Sequence, residues 1–364
     1  TAGVAWNLDK EEFMKNVGFI STSKIRASYG ETGSQAISPY SSLQQFVNGV
    51  YPTGVNNDFT LTLYPSSLGN ANLSWEKTRQ FDIGTDISVL NHRLSFSFDF
   101  YNKLTSDLLQ PRTIPSQSGY TSIIDNYGTI KNRGIEFSIS ADIIEKRNTQ
   151  FSTQFNISRN NNVLVNLGSS TAPTYVSIGN NLVGGVSGIL VPGQRIGQFY
   201  GYKLTGLAQT SDFTNGVPDY PYPGGVSVQH PGAIKYQDAN KDGKITIADR
   251  QVLGNSQPAF TFGWTNNFTW KNLSVNLFVT GSEGNKVLDL TRFYLNDGIV
   301  NFSGQVLNQT QDWYNHRWTA QHPTNDVRYP GTQVTMPFSI SDITSSMVEN
   351  GSYGRLKSLT FSYV

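Results

Sequence analysis

Two-residue alternation, sustained over long segments, constrains this chain more than any other feature. From Arg93 to Tyr101, Leu94, Phe96, Phe98 and Phe100 take every second position, and Ser95, Ser97 and Asp99 lie between them. A helix would scatter those apolar groups around its axis, whereas a strand places them all on one side. The preceding segment sets Phe81, Ile83, Ile87 and Val89 against Gln80, Asp82, Asp86 and Ser88. Ile135, Phe137, Ile139, Ala141 and Ile143 oppose Glu136, Ser138, Ser140 and Asp142, and Phe151, Phe155 and Ile157 oppose Ser152, Gln154, Asn156 and Ser158. Phe260, Phe262, Trp264 and Phe268 alternate with small and polar residues, and Leu273, Val275, Leu277 and Val279 continue the pattern. Residues 24–31 and 355–364 read as further strands. These segments run to about nine to eleven residues, the length at which a tilted strand crosses a hydrocarbon core, against five or six in ordinary globular strands.

The connections carry the second constraint. Residues 90–92, 145–149 and 271–272 are tight turns, whereas 102–134, 159–259 and 281–354 are long. Short turns on one rim and long loops on the other is the layout of an outer-membrane barrel. The long segments are expected to fold over the barrel mouth and carry function. Trp75, Tyr101, Trp264, Trp270 and Tyr29 stand at strand ends, where they suit interfacial girdles. The expected fold is therefore all-β, a transmembrane antiparallel barrel occupying residues 1–364.

Composition agrees. Charged residues are only 15%, while Phe (21), Tyr (18) and Gly (34) are abundant, as suits many strands joined by turns. No apolar run approaches the roughly 18 residues of a spanning helix. Low mean hydropathy does not argue against a barrel, whose lumen-facing residues are polar. The net charge of +1 and the lack of a basic cluster give no reason to expect nucleic acid as a partner. Cysteine is absent, which removes disulfides, thiolate metal sites and a cysteine nucleophile. No secretory signal opens the chain and its end falls within a strand-like run, so it reads as part of a longer protein.

The sharpest local motif is Asp238-Ala-Asn240-Lys-Asp242-Gly243-Lys244-Ile-Thr246-Ile-Ala-Asp249. It fits the twelve-position calcium loop. Asp238, Asn240 and Asp242 supply hard oxygens at positions 1, 3 and 5, and Gly243 permits the sharp turn. Lys244 offers its carbonyl, Thr246 its hydroxyl and Asp249 a carboxylate at position 12. The expected role of Ca²⁺ is structural, pinning an outside loop. An Asx-rich turn that binds nothing gives the same spacing.

No catalytic constellation stands out. His92 lies in a tight turn, and His316 and His322 lack a metal-ligand spacing. No nucleophile elbow, zinc-protease helix or phosphate loop is present. Asp99, Glu136 and Asp142 sit on polar strand faces, where lumen-lining charge is the expectation rather than an acid pair. The chain is not expected to be an enzyme.

Several stretches together resemble one family, the SusC/RagA-type TonB-linked outer-membrane transporters. Leu73-Ser-Trp75-Glu76-Lys-Thr78 with Phe81-Asp-Ile-Gly84 is similar to a segment before one of its strands. Asn126-Tyr-Gly128-Thr-Ile-Lys-Asn132-Arg-Gly134-Ile135-Glu136 resembles its N-x-G-x-I-x-N-x-G-I-E signature. Residues 232–254 followed by Pro258-Ala-Phe-Thr-Phe-Gly263 resemble its D-x-N-x-D-G…G-N…P-x-F-x-F-G run. Arg317-Trp318-Thr319 and Val348 to Tyr363 resemble its closing strands, although Ala320 replaces a common proline.

The resemblance implies a 22-stranded barrel with an amino-terminal plug. This chain would supply roughly the C-terminal half of the strands and no plug. It implies TonB-dependent import of oligosaccharides or peptides across a Gram-negative outer membrane, with a SusD-type surface lipoprotein as lid. TonB would act through the missing amino-terminal part, and outer-membrane lipid would surround the barrel. Tyr200, Tyr220, Tyr222, Trp313 and Trp318 are the candidate substrate- or partner-stacking aromatics in the long loops, where packing within the loops is the alternative for each. The rival reading is a secreted soluble glycan-binding β-protein with a dockerin-like calcium loop.

Overall fold

The computed structural model describes residues 1–35, 37–53, 59–168, 172–177, 186–222, 229–296, 301–302, 305–306, 308–332 and 343–364. Its frame is one nine-stranded antiparallel sheet in which every strand pairs with its neighbour in sheet sequence. The strands are β1 (Ala2–Asn7), β2 (Ile20–Ser34), β3 (Glu76–Val89), β4 (Leu94–Ser106), β5 (Thr129–Lys146), β6 (Thr149–Asn166), β7 (Phe260–Trp270), β8 (Leu273–Glu283) and β9 (Tyr353–Tyr363). β1 and β9 are the edges, each with a strand partner on one side only among the described residues. Among these residues no helix is long and apolar enough to cross a membrane, which says nothing of strands.

The alternation resolves into two faces. One row of cross-strand partners runs Ile87, Phe96, Ile139, Phe155, Trp264, Val279 and Leu356 from β3 to β9. The row on the opposite face runs Arg26, Gly84, Asp99, Glu136, Ser158, Thr261 and Ser282 from β2 to β8. The apolar face is the outer, lipid-facing wall and the polar face lines the lumen. Large side chains on the outer face remain open, with Phe98 at 42% and Ile135 at 45% exposure. Among the described residues these side chains stay uncovered, as befits a surface whose solvent is lipid.

β2 to β6 are 13 to 18 residues long, longer than the alternation alone marks. Much of the extra length is polar, as in Glu76-Lys-Thr-Arg-Gln80, although β6 also adds Val163-Leu164-Val165. The backbone ladder continues past the apolar band because a neighbouring strand remains to pair with. β1 and the hairpin of Gln45–Pro52 with Phe59–Ser67 lie outside the strands expected from the sequence, although Phe59, Leu61 and Leu63 alternate with Thr60 and Thr62, and 35–75 is a fourth long connection. Bulges repair the pattern where it slips. Ile143 is unpaired between the Ser152–Asp142 and Phe151–Ile144 partners. Lys357 is unpaired between Leu356 and Ser358, so Leu356 and Leu359, three apart, share the outer face.

Three turns on one rim are tight. Leu90, Asn91 and His92 all take positive φ, at 56°, 55° and 66°. His92 shares a 3.2 Å hydrogen bond with Ser88 Oγ. Arg147-Asn148 and Lys271-Asn272 make two-residue turns. The fourth connection on that rim, 8–19, holds two 3-10 turns. All four long connections, 35–75, 107–128, 167–259 and 284–352, leave from the other rim. They are not structureless. Thr174–Val176, Gly188–Leu190, Gln198–Tyr202 and Arg250–Asn255 form a four-stranded sheet, and Leu204–Leu207 pairs with Ile234–Tyr236. The closed hydrophobic cores lie here and not in the wall. One gathers Phe199, Ile343 and Met347, the other Tyr202, Leu204, Leu207, Ile234, Tyr236 and Ile245. Each fully buried Leu, Ile or Met contributes about 1.5–3 kcal/mol, so these loops carry their own stabilising core.

Candidate functional site

The calcium-like loop sits at the edge of the second loop core. Asp238 accepts from Asp242 N at 3.2 Å and Gly243 N at 2.8 Å. Asn240 Oδ1 accepts from Asp242 N at 3.0 Å, and Asp242 Oδ1 from Lys244 N at 2.9 Å. Gly243 takes φ +81°, where a side chain would be strained. Thr246 caps the short turn Ile247–Asp249, its hydroxyl accepting from Ala248 N at 3.2 Å. Asp249 is fully buried. Its carboxylate accepts from Ala239 N at 2.9 Å and Thr246 N at 2.7 Å. Asp238, Asn240 and Asp242 are thus gathered on one exposed turn, while Asp249 ties the two ends of the loop together from inside. Among the described residues no group of three His, Cys, Asp or Glu side chains is placed to hold a metal ion.

The five candidate aromatics divide by surroundings. Tyr200 lies against Tyr175, ring centroids 5.6 Å apart and tilted by 33°. Burial pushes the Tyr200 phenol above its ordinary value. Tyr220 meets Phe213 edge-on at 6.0 Å and Tyr222 at 6.5 Å. Its hydroxyl donates to Gln229 Oε1 at 3.2 Å, and burial, helped by Asp212, pushes its phenol up to about 12. It is therefore a neutral donor at any physiological pH. Tyr222 is exposed. Trp313 is 4% exposed on the helix Gln311–His316, its indole donating to Pro330 O at 3.0 Å. Trp318 packs against the second core and donates to Gln209 Oε1 at 3.0 Å. Tyr175 and Phe213, which complete the two aromatic pairs, carry no periodic signal of their own.

Asp212 anchors the floor of the Tyr220 cluster. It accepts from Lys235 Nζ at 2.7 Å and from Gln209 N at 2.8 Å. Lys235 first and the Gln209 amide second hold its carboxyl below the ordinary range. A lowered carboxyl stabilises the fold above its unfolded-state value near 4 and loses that contribution as pH falls through the lower folded-state value. Fluorescence of the Tyr220 cluster should hold steady down to about pH 4 and change below it. Asp212→Asn should abolish that acid transition.

On the lumen wall, Arg26 binds three carboxylates. Its guanidinium donates to Asp99 at 2.8 Å and Asp86 at 3.1 Å, and stands 3.6 Å from Asp82. Ser97 Oγ donates to Asp86 at 2.9 Å. Gly84 lies between Arg26 and Asp99 in the register, and a Cβ there would press on both. Asp99 and Glu136 are direct cross-strand partners, whereas Asp142 lies near the short-turn rim. Asp99, Glu136, Ser138, Asn156 and Ser158 line a shallow depression of about 260 Å³. A larger groove of about 690 Å³ opens at the long-loop rim between the 45–67 and 109–126 hairpins, lined by Tyr64, Pro65, Pro111, Tyr120 and Ile124.

Two of the family-like motifs meet in space. Asn126 Oδ1 accepts from Ser74 N at 2.7 Å, and its amide donates to Ser74 O and Asp107 O, each at 2.8 Å. Glu76 accepts from Leu109 N at 2.8 Å. Gly134, in the second motif, sits under the Tyr101 ring and beside Arg159 O.

The family described as TonB dependent receptor-like, beta-barrel matches residues 1–280. The chain belongs to this family. TonB-dependent receptor P3 of Formosa agariphila is 36% identical over 363 residues, covering 100% of this chain and 34% of that protein. TonB-dependent receptor SusC of Bacteroides thetaiotaomicron is 28% identical over 295 residues, covering 78% of this chain and 27% of that protein. The structure of the RagAB peptide transporter superposes with a TM-score of 0.76 at 22% identity, over 99% of this chain and 36% of that one. At that identity the likeness concerns the fold. This TonB-dependent receptor barrel spans about a third of the length of the curated relatives it matches. In this receptor barrel the Asn126 bridge fastens the 107–128 connection to the approach to β3. Asn126→Ala should cost about 2 kcal/mol, three hydrogen bonds being lost at roughly 0.5–1.5 kcal/mol each with water recovering part. Faster amide exchange confined to 107–128 would register it.

Proposed function

We propose that this chain forms part of the wall and extracellular surface of an outer-membrane importer of oligosaccharides or peptides. TonB energises the movement through segments that precede this part in its relatives, and a SusD-type surface lipoprotein covers the long-loop rim. One observation carries the reading. Every long connection rises from the same rim, and these loops hold closed cores of their own above a polar lumen wall. That arrangement suits a mouth which captures substrate and a wall which lets it pass. The relatives named as receptors, SusC among them, and the solved peptide transporter support the same direction.

In this reading Tyr175 with Tyr200, and Tyr220 with Tyr222, offer ring faces for stacking on sugars or peptide side chains, with Trp313 and Trp318 holding the loops that present them. Ca²⁺ is proposed at 238–249 as a structural ion, with Asp238, Asn240 and Asp242 as its first ligands and Lys244, Thr246 and Asp249 completing or supporting the loop.

The test is purification of the native full-length protein from outer membranes in mild detergent, with mass spectrometry of its companions. Recovery with a surface lipoprotein and bound glycan or peptide supports the proposal and narrows the substrate. Recovery from the soluble fraction, alone and without detergent, overturns it in favour of a secreted glycan-binding protein.

A further inference from the structure

The outer face of the sheet changes character towards the long-loop rim. On β5 its outward positions run Ile144, Ala141, Ile139, Phe137 and Ile135, then Arg133 and Lys131. On β6 they run Phe151, Phe155 and Ile157, then Arg159. The apolar stretch from Ile144 to Ile135 covers about nine residue steps. At about 3.3 Å per residue and a tilt near 40° it stands about 23 Å tall, matching the band of an outer-membrane barrel. Arg133 then lies about 5 Å beyond the band and Lys131 about 10 Å, the depth of lipid headgroups.

The three cations sit close together. Lys131 and Arg133 are two apart on one strand, about 6.6 Å. Arg159 faces Ile135 across the ladder and so lies diagonal to Arg133, roughly 7–8 Å away. All three are exposed. The Arg133 guanidinium rests 5.1 Å from the Phe100 ring centroid. Among the described residues none of the three has an ion pair. Their neighbours differ. Arg79, on the outer face of β3, is held by Glu31 at 2.9 Å, and Lys77 pairs with Asp107 at 3.5 Å. Glu283, opposite Phe260 on β8, is two strands from Arg159. At the short-turn rim Arg93 is tied to the carbonyls of Asp142 and Ile143, and Lys271 lies over Trp270.

Three unpaired cations side by side repel one another, and an anion shared among them reverses the sign of the interaction. Two guanidinium forks and an ammonium suit a phosphate group, the forks binding two oxygens each. Continuity with the apolar band puts acyl chains directly below. We propose that Lys131, Arg133 and Arg159 bind the phosphate of an anionic lipid headgroup in the outer leaflet. The site rests on the outer-membrane reading above.

The test uses native mass spectrometry of the full-length protein in mild detergent, with added phosphatidylglycerol, phosphatidylcholine or inorganic phosphate. Phosphatidylglycerol should bind in preference to phosphatidylcholine, and inorganic phosphate should fail to displace it. The triple variant K131Q/R133Q/R159Q should lose at least about tenfold of the affinity, each basic residue near anionic lipid contributing severalfold. K131R/R133K/R159K, which keeps three cations but only one guanidinium fork, should lose less than the glutamine variant. Heat-dependent migration of the folded barrel on a gel verifies that each variant is folded. Equal binding of the two lipids, displacement by inorganic phosphate, or an unaffected glutamine variant overturns the site. Should that variant not fold, the lipid preference of the unsubstituted protein decides. A protein recovered from the soluble fraction fails the outer-membrane reading instead, a separate outcome.

Discussion

Asp249→Ala is expected to open the 238–249 loop, raising its rate of cleavage by trypsin at Lys241 and Lys244 by about a hundredfold or more. The side chain is fully buried, and its two oxygens accept from Ala239 N and Thr246 N at 2.9 and 2.7 Å. Truncation leaves both amides without their acceptor on the inner side of the loop. Each costs about 1–3 kcal/mol, and bonds to a charged acceptor lie at the upper end. The sum, about 4 kcal/mol, corresponds to a factor of several hundred in local opening when cleavage follows the open population. Asp249→Asn keeps an acceptor oxygen and should fall between. A cleavage rate unchanged in Asp249→Ala would show that the loop is held by something other than this carboxylate. The same assay reads the ion. Millimolar Ca²⁺ against chelator should slow cleavage of the unsubstituted protein, and Asp238→Ala should erase that difference; equal rates with and without Ca²⁺ would sink the calcium proposal.

Arg26→Met should destabilise the wall between β2, β3 and β4 by about 3 kcal/mol. The guanidinium contacts Asp82, Asp86 and Asp99, and its removal leaves three neighbouring carboxylates without their cation. Breaking a fully buried pair costs about 3–5 kcal/mol. Here the side chains are 19% to 42% exposed, so water recovers part of the loss. The urea midpoint of the folded barrel is the measurement. Arg26→Met with Asp99→Asn should be less damaged than the sum of the single changes, because the second change removes one of the stranded charges. Strict additivity would mean that Arg26 and Asp99 do not act on one another.

Much of the barrel is legible in the sequence because its signal is local. Side chains on a strand alternate by geometry, so Leu94, Phe96, Phe98 and Phe100 announce both the strand and its lipid face without knowledge of any neighbour. The turns at 90–92 and 271–272 are legible for the same reason. Where the alternation fades, the strand outruns its local signal. Residues 76–80 are polar throughout, and they are strand only because β2 and β4 lie beside them to complete the ladder.

The candidate site was legible in part. The spacing of Asp238, Asn240 and Asp242 marked the turn, yet nothing local showed that Asp249 would be buried and spent on backbone amides. Tyr200 and Tyr220 stood out as loop aromatics, but their partners Tyr175 and Phe213 did not.

What the sequence determined by itself was therefore the class of element, the two faces and the asymmetry of the rims, each a property of residues within one strand or turn. What the tertiary structure decided was register and closure. Arg26 reaches Asp86 and Asp99 across 60 and 73 residues of chain, and Leu207 N finds Asn325 across 118. A slip of one residue in a ladder would turn every side chain of a strand to the other face. Contacts of that kind depend on the alignment of distant segments, and only the folded sheet and the closed cores of its loops supply it.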